Sequence, residues 1–169
     1  MSITFSADEI FEIAQQIERN GAKFYRKAAE TVEGENRKLL LRLAEMEDQH
    51  EKTFATMREN LLANKRISQT YDQDDQNALF LRALAEGKVF DIKADPCENL
   101  TGSKTLQDIL KIAIELEKDS IIFYLGMKDI VQSSHDKQMI DHIIAEEKKH
   151  IVDLSNQLAA SWKDKMQIV

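Results

Sequence analysis

The 169-residue sequence is poor in the residues that staple or punctuate a chain: it has one cysteine, one proline, five glycines and one tryptophan. A lone Cys97 excludes both a disulfide framework and any paired-cysteine metal site, and is the usage of a reducing compartment. So little proline and glycine excludes a turn-rich sheet protein. Nowhere do about 18 apolar residues follow one another, and Met1 leads into Ser2-Ile3-Thr4-Phe5 without a basic start, so neither membrane insertion nor export is expected. The expected location is the cytoplasm. Positive charge is also in deficit, with a formal net charge of −7, which disfavours nucleic acid as a partner.

What the sequence does have is charge interleaved with apolar residues, 31% and 43% respectively, the composition of long helices. The expected class is all-α. A chain of this length buries one sizeable core and is too short for a second independent domain, so a single domain over residues 1–169 is expected.

Ser6-Ala7-Asp8-Glu9 fits a capping box, and the stripe Phe11, Ala14, Gly21, Tyr25, Ala28 predicts a helix over about 7–31. After Glu33-Gly34 a second stripe, Leu40, Leu43, Phe54, Met57, Leu61, predicts a helix over about 35–64. Residues 65–103 break the pattern. They hold a polar run from Gln69 to Asp75, a short amphipathic helix over about 75–86 stopped by Gly87, then Val89–Ile92 and the Asp95-Pro96 turn. Thr105 opens a third long helix, over about 105–132, through Leu110, Ala113, Ser120, Tyr124, Met127 and Val131. Beyond Ser133-Ser134 a fourth runs over about 135–161 through Ile140, Ile143, Leu154 and Gln157. The predicted architecture is a four-helix bundle of two helical hairpins joined by a long crossover.

The halves repeat. Ala14, Glu18 and Tyr25 align with Ala113, Glu117 and Tyr124, while Leu43, Glu47 and His50 align with Ile143, Glu147 and His150. Each gap in the four apolar stripes is filled by one of six polar residues, Glu18, Glu47, His50, Glu117, Glu147 and His150, and each Glu-x-x-His pair shares one helix face. Glu18 lies about 15 residues before the first turn and Glu47–His50 about 14–17 after it, so at ~1.5 Å per residue both sit roughly 22 Å from that turn. Around the second turn Glu117 and Glu147–His150 repeat these distances. All six are therefore expected in one layer. Four unpaired carboxylates in an apolar core would each cost several kcal/mol; two divalent cations beside two neutral imidazoles balance them. A glutamate from each of two helices, with Glu-x-x-His from each of the other two, is the di-iron or di-manganese carboxylate pattern.

Other candidates carry less. His135 and His142 have no carboxylate set at ligand spacing on their own stripe and read as surface histidines. The Asp72–Asp75 cluster lacks the glycine and closing glutamate of a calcium loop.

These residues resemble the rubrerythrin branch of the ferritin-like superfamily. The resemblance spans the four long helices and is carried by Ala14-x-x-x-Glu18, Tyr25, Ala44-x-x-Glu47-x-x-His50, Glu117, Tyr124 and Ala145-x-Glu147-x-x-His150. It implies bridging carboxylates Glu47 and Glu147, terminal ligands Glu18 and Glu117, one metal completed by each of His50 and His150, and Tyr25 and Tyr124 hydrogen-bonding around the cluster. It implies two iron ions, with manganese or zinc as alternatives, and reduction of hydrogen peroxide or dioxygen in oxidative-stress defence. Rubrerythrins usually carry a rubredoxin domain with four cysteine ligands; with one cysteine here, electrons are expected from a separate rubredoxin-like protein or flavoprotein. Peroxidase-type members have a second glutamate three residues after the one matched by Glu117, used in ligand exchange. Ser120 stands there. Iron storage, or a structural metal in a non-catalytic bundle, is the alternative function, and a homodimer or higher homo-oligomer is expected.

Overall fold

Ser6 accepts the Glu9 amide on its hydroxyl and gives its own amide to the Glu9 carboxylate at 2.8 Å, and this reciprocal cap opens α1, Ala7–Ala29. Gly34, at φ +64°, takes the left-handed conformation that turns the chain into α2, Gly34–Ala63. Thr105 and Asp108 form a second box at the head of α4, Leu106–Ile130, and Ser133 accepts the Asp136 amide ahead of α5, Ser134–Met166. Between α2 and α4 come α3, Gln76–Ala83, and a short 3₁₀ turn, Glu98–Leu100. The computed structural model describes residues 6–63, 76–84, 93–100, 102 and 104–166, apart from the side chains of 99 and 164–166; among these there is no strand.

The class is all-α, as expected, and α1, α2 and α4 begin and end within a residue or two of their predicted bounds. The last helix differs. It runs on to Met166, past the expected end near 161. The apolar stripe thins after Gln157, which shortened the sequence reading, but no helix breaker follows and the start of α4 holds this end. Gln107 donates its amide to the Ser161 carbonyl at 3.2 Å, and the Lys111 ammonium lies 5.4 Å from the Trp162 ring centroid. In the crossover, α3 is seen over 76–83, while the polar run 69–75, Gly87 and Val89–Ile92 lie outside the described residues. At the Asp95-Pro96 turn the Asp95 carboxylate accepts the Cys97 amide and pairs with Lys23 of α1, both at 2.9 Å.

The core is in two parts. One packs Ile10, Phe11, Phe54, Met57, Phe123, Met127, Ile140 and Ile143 with Leu81 from α3 and Leu84 just beyond it. The other packs Phe24, Ala28, Leu40, Leu43, Leu110, Ala113 and Leu154. The first gathers the start of α1 with the end of α4, so those two helices run antiparallel and the two hairpin turns lie at opposite ends of the bundle. Between the two apolar parts lies a polar layer. No helix among the described residues is long and apolar enough to cross a membrane.

Candidate metal centre

Each of the six residues expected in one layer is there, and each is buried: Glu18 from α1, Glu47 and His50 from α2, Glu117 from α4, Glu147 and His150 from α5. Their donor atoms form two overlapping groups, each with all atoms within 4.8 Å of one another. One is Glu18, Glu47, His50 and Glu147; the other is Glu47, Glu117, Glu147 and His150. Glu47 and Glu147 belong to both groups, and the other four to one each. Two cations held there would share Glu47 and Glu147, and each would take one further carboxylate and one imidazole.

Both imidazoles aim the same nitrogen inward. His50 Nδ1 is 2.9 Å from Glu147 Oε1 and 3.5 Å from Glu18 Oε2, and His150 Nδ1 is 2.8 Å from Glu147 Oε2 and 3.4 Å from both Glu47 and Glu117 Oε1. The rings lie nearly parallel, with centroids 5.9 Å apart. Glu18 Oε2, Glu47 Oε1, both oxygens of Glu147 and both Nδ1 atoms are buried without a well-formed hydrogen bond. Such atoms are rare in native interiors because each forfeits its hydration. Here they converge on one another, as ligand atoms around two cations would. The donor set fits two metal ions.

In the metal-free chain, protons take the place of cations. Burial opposes charge on the histidines, yet the carboxylates of Glu147 and Glu18 around His50, and of Glu117, Glu147 and Glu47 around His150, push both pKa values up to about 12. Burial, then the charges of Glu47 and Glu147, hold Glu18 and Glu117 well above the ordinary carboxylate range. Glu147 goes the other way: burial raises it, but the close approach of the His150 and His50 imidazoles outweighs burial and lowers it. Glu147 is thus a carboxylate clasped by two imidazolium rings. A bound cation inverts this logic, because it favours deprotonated ligands and neutral imidazole.

The tyrosines cross between hairpins. Tyr25 of α1 donates its hydroxyl to Glu117 Oε1 on α4, and Tyr124 of α4 donates to Glu18 Oε1 on α1. At Glu18 the phenol fixes Oε1 and leaves Oε2 toward His50, whereas at Glu117 the oxygen that accepts from Tyr25 is also the one nearest His150 Nδ1. Phe24 and Phe123 meet these rings edge-on, at 5.6 and 6.1 Å between centroids, and Phe54 packs on Tyr124 at 5.0 Å.

Two contacts escaped the sequence reading. A Cβ on Gly21 would stand 3.1 Å from Glu47 Oε2, so the glycine lets the α1 backbone approach the carboxylate of Glu47, which both donor groups share. The gap it leaves in the α1 stripe was the available signal. His50 Nε2, on the far side of its ring, lies 3.0 Å from Glu146 Oε2, and exposed His142 is 3.7 Å from the same oxygen. Glu146 is hidden in sequence because it sits beside a stronger candidate, Glu147. Ser120 donates back to the Leu116 carbonyl at 3.0 Å, and His142 is exposed as expected.

Four carboxylates and two imidazoles in one buried layer of four antiparallel helices define the class of ferritin-like carboxylate di-metal proteins. Within that class the chain belongs to the rubrerythrin family, whose profile matches residues 9–158. Its fold is similar to the crystal structure, at 2.30 Å resolution, of a Thermotoga maritima protein described as a ferritin-like diiron-carboxylate protein. The two share 27% identity at a TM-score of 0.71, covering 95% of this chain and 99% of that one. No curated protein matches the sequence.

Proposed function

We propose that the chain is a non-haem di-iron oxidoreductase that reduces hydrogen peroxide or dioxygen with electrons from a separate donor protein, in oxidative-stress defence. The observation that carries this reading is the pair of four-atom donor groups sharing Glu47 and Glu147, which would hold two cations side by side rather than apart. Oxygen-rich ligation with one imidazole each suits iron, with manganese and zinc as the competing occupants. When bound, a ferrous pair supplies the two electrons that cleave the O–O bond of a peroxide, with two protons, to water.

The chain's own residues prepare that step. Glu47 and Glu147 would bridge the ions, Glu18 and Glu117 would cap them, and His50 and His150 would each fill one position through Nδ1. Apolar packing on both sides of the layer keeps bulk water out. Tyr25 and Tyr124 hold Glu117 and Glu18 in place, which makes them positioning residues for the ligands. Ser120, turned back onto its own helix, offers no carboxylate for exchange, so the reading assigns the reaction to a fixed ligand set.

The test is anaerobic iron loading followed by turnover with peroxide and a reduced rubredoxin-like protein or flavoprotein. Two irons per chain and many cycles of peroxide consumption are expected. Iron uptake far beyond two per chain, or a single stoichiometric oxidation that no donor reverses, would replace this reading with storage. Glu47→Ala and His150→Ala should each lose most of their iron; two irons retained in both variants would sink the ligand assignment.

A further inference from the structure

The two histidines are equivalent in the sequence repeat and in the approach of Nδ1 to the carboxylate cluster, but not behind it. His50 has a carboxylate at its back: Glu146 Oε2 lies 3.0 Å from Nε2. His150 has none. Its Nε2 is buried and, among the described residues, without a hydrogen-bond partner. The repeat shows why. Glu146 directly precedes Glu147 on α5, and the matching residue before Glu47 on α2 is Met46, half-buried like Glu146 but with no oxygen to offer.

We propose that Glu146 is a positioning residue that makes the two metal positions unequal: the one built on His50 and Glu18 binds its ion first and more tightly, and the one built on His150 and Glu117 second. The inference rests on the di-metal reading above and deepens it.

A carboxylate accepting Nε2–H does three things for an imidazole ligand. It selects the tautomer with the Nδ1 lone pair free for the metal, and it fixes the ring plane. It also raises the basicity of the ligating nitrogen. His50 has all three, and its position also feels one more negative charge close by. His150 meets carboxylates only on its Nδ1 side, and among the described residues its Nε2–H finds no acceptor. Glu146 reaches His50 from the rim of the bundle, with its side chain about one-third exposed at 34%, and exposed His142 lies 3.7 Å from the same oxygen. The tight position is therefore also the one with a polar contact to the surface.

Loss of such a partner lowers metal affinity by about 10–100-fold. Anaerobic titration with Co(II), followed by its visible absorption, reads each step without any turnover. Wild type should take up two ions in two steps separated by about tenfold or more. Glu146→Gln should weaken the first step by about tenfold or more, leave the second within about twofold, and speed solvent exchange of the paramagnetically shifted His50 Nε2–H proton. Met46→Glu places the missing carboxylate on the matching position of α2 and should tighten the second step toward the first. Two ions bound in wild type with equal affinity, or both steps weakened alike in Glu146→Gln, would overturn the inequality while leaving the di-metal reading intact. No Co(II) bound at all would overturn both.

Discussion

Glu47 meets constraints from several helices at once: it belongs to both donor groups, and Gly21 of α1 leaves no more than contact distance to its carboxylate. Gly21→Ala adds a methyl at 3.1 Å from Glu47 Oε2, so the bridging group has to move although the helix gains a better helix former. Iron content should fall while the metal-free melting temperature holds or rises, a divergence that metal analysis and calorimetry together can read. Tyr124→Phe removes the donor to Glu18 but keeps the ring on Phe54. A loss of about 1–2 kcal/mol is expected in urea unfolding of the metal-free protein, and an unchanged stability would show that Glu18 is held by other means. The six ligand candidates were legible in the sequence because each interrupts an apolar stripe. Gly21 was visible only as a small residue, and Glu146 was masked by its neighbour, because the sequence marks a residue's face but not what stands opposite it.

Helices were legible where local rules act alone. Ser6 and Thr105 declare their caps in three residues, and both form reciprocal boxes. Thr105→Ala should cost about 1 kcal/mol of stability, measured by urea unfolding, with no change in metal content, since the site lies several turns away. The end of α5 was less legible because Gln107 and Trp162 decide it by contacts across helices, and stripes report only burial along one helix. The crossover between α2 and α4 carries no long stripe in its sequence, so what could be read there was its short amphipathic α3 and the Asp95-Pro96 turn.

Over the whole molecule, the polar layer splits the core, and stability depends on what fills that layer. In the metal-free protein both histidines keep their protons up to about 12, whereas unfolded histidine releases its proton near its ordinary 6.5. The folded state then binds more protons across that window, so the histidines' contribution to metal-free stability is full below about pH 6.5 and is lost as pH rises toward about 12. Glu18 and Glu117, raised by burial, carry the same sign from the ordinary carboxylate range upward; lowered Glu147 opposes them only in acid. Melting temperatures in chelator should therefore fall between pH 6 and 9, and a rise would contradict the charge assignment. Bound metal reverses the trend, because ions displace these protons and affinity grows with pH. At a thousandfold excess over Kd, loading should add about 4 kcal/mol.

Neither hairpin holds a complete metal position. Glu18, Glu47 and His50 come from one hairpin and wait on Glu147 from the other, just as Glu117, Glu147 and His150 wait on Glu47. The phenols are exchanged likewise, each hairpin closing the other's glutamate. A gene half as long, encoding one such hairpin, could build the whole centre by pairing two copies about a twofold axis. Fusing those copies into one chain would then free each half to change alone, and positions 46 and 146, methionine and glutamate, are where such a liberty has been taken.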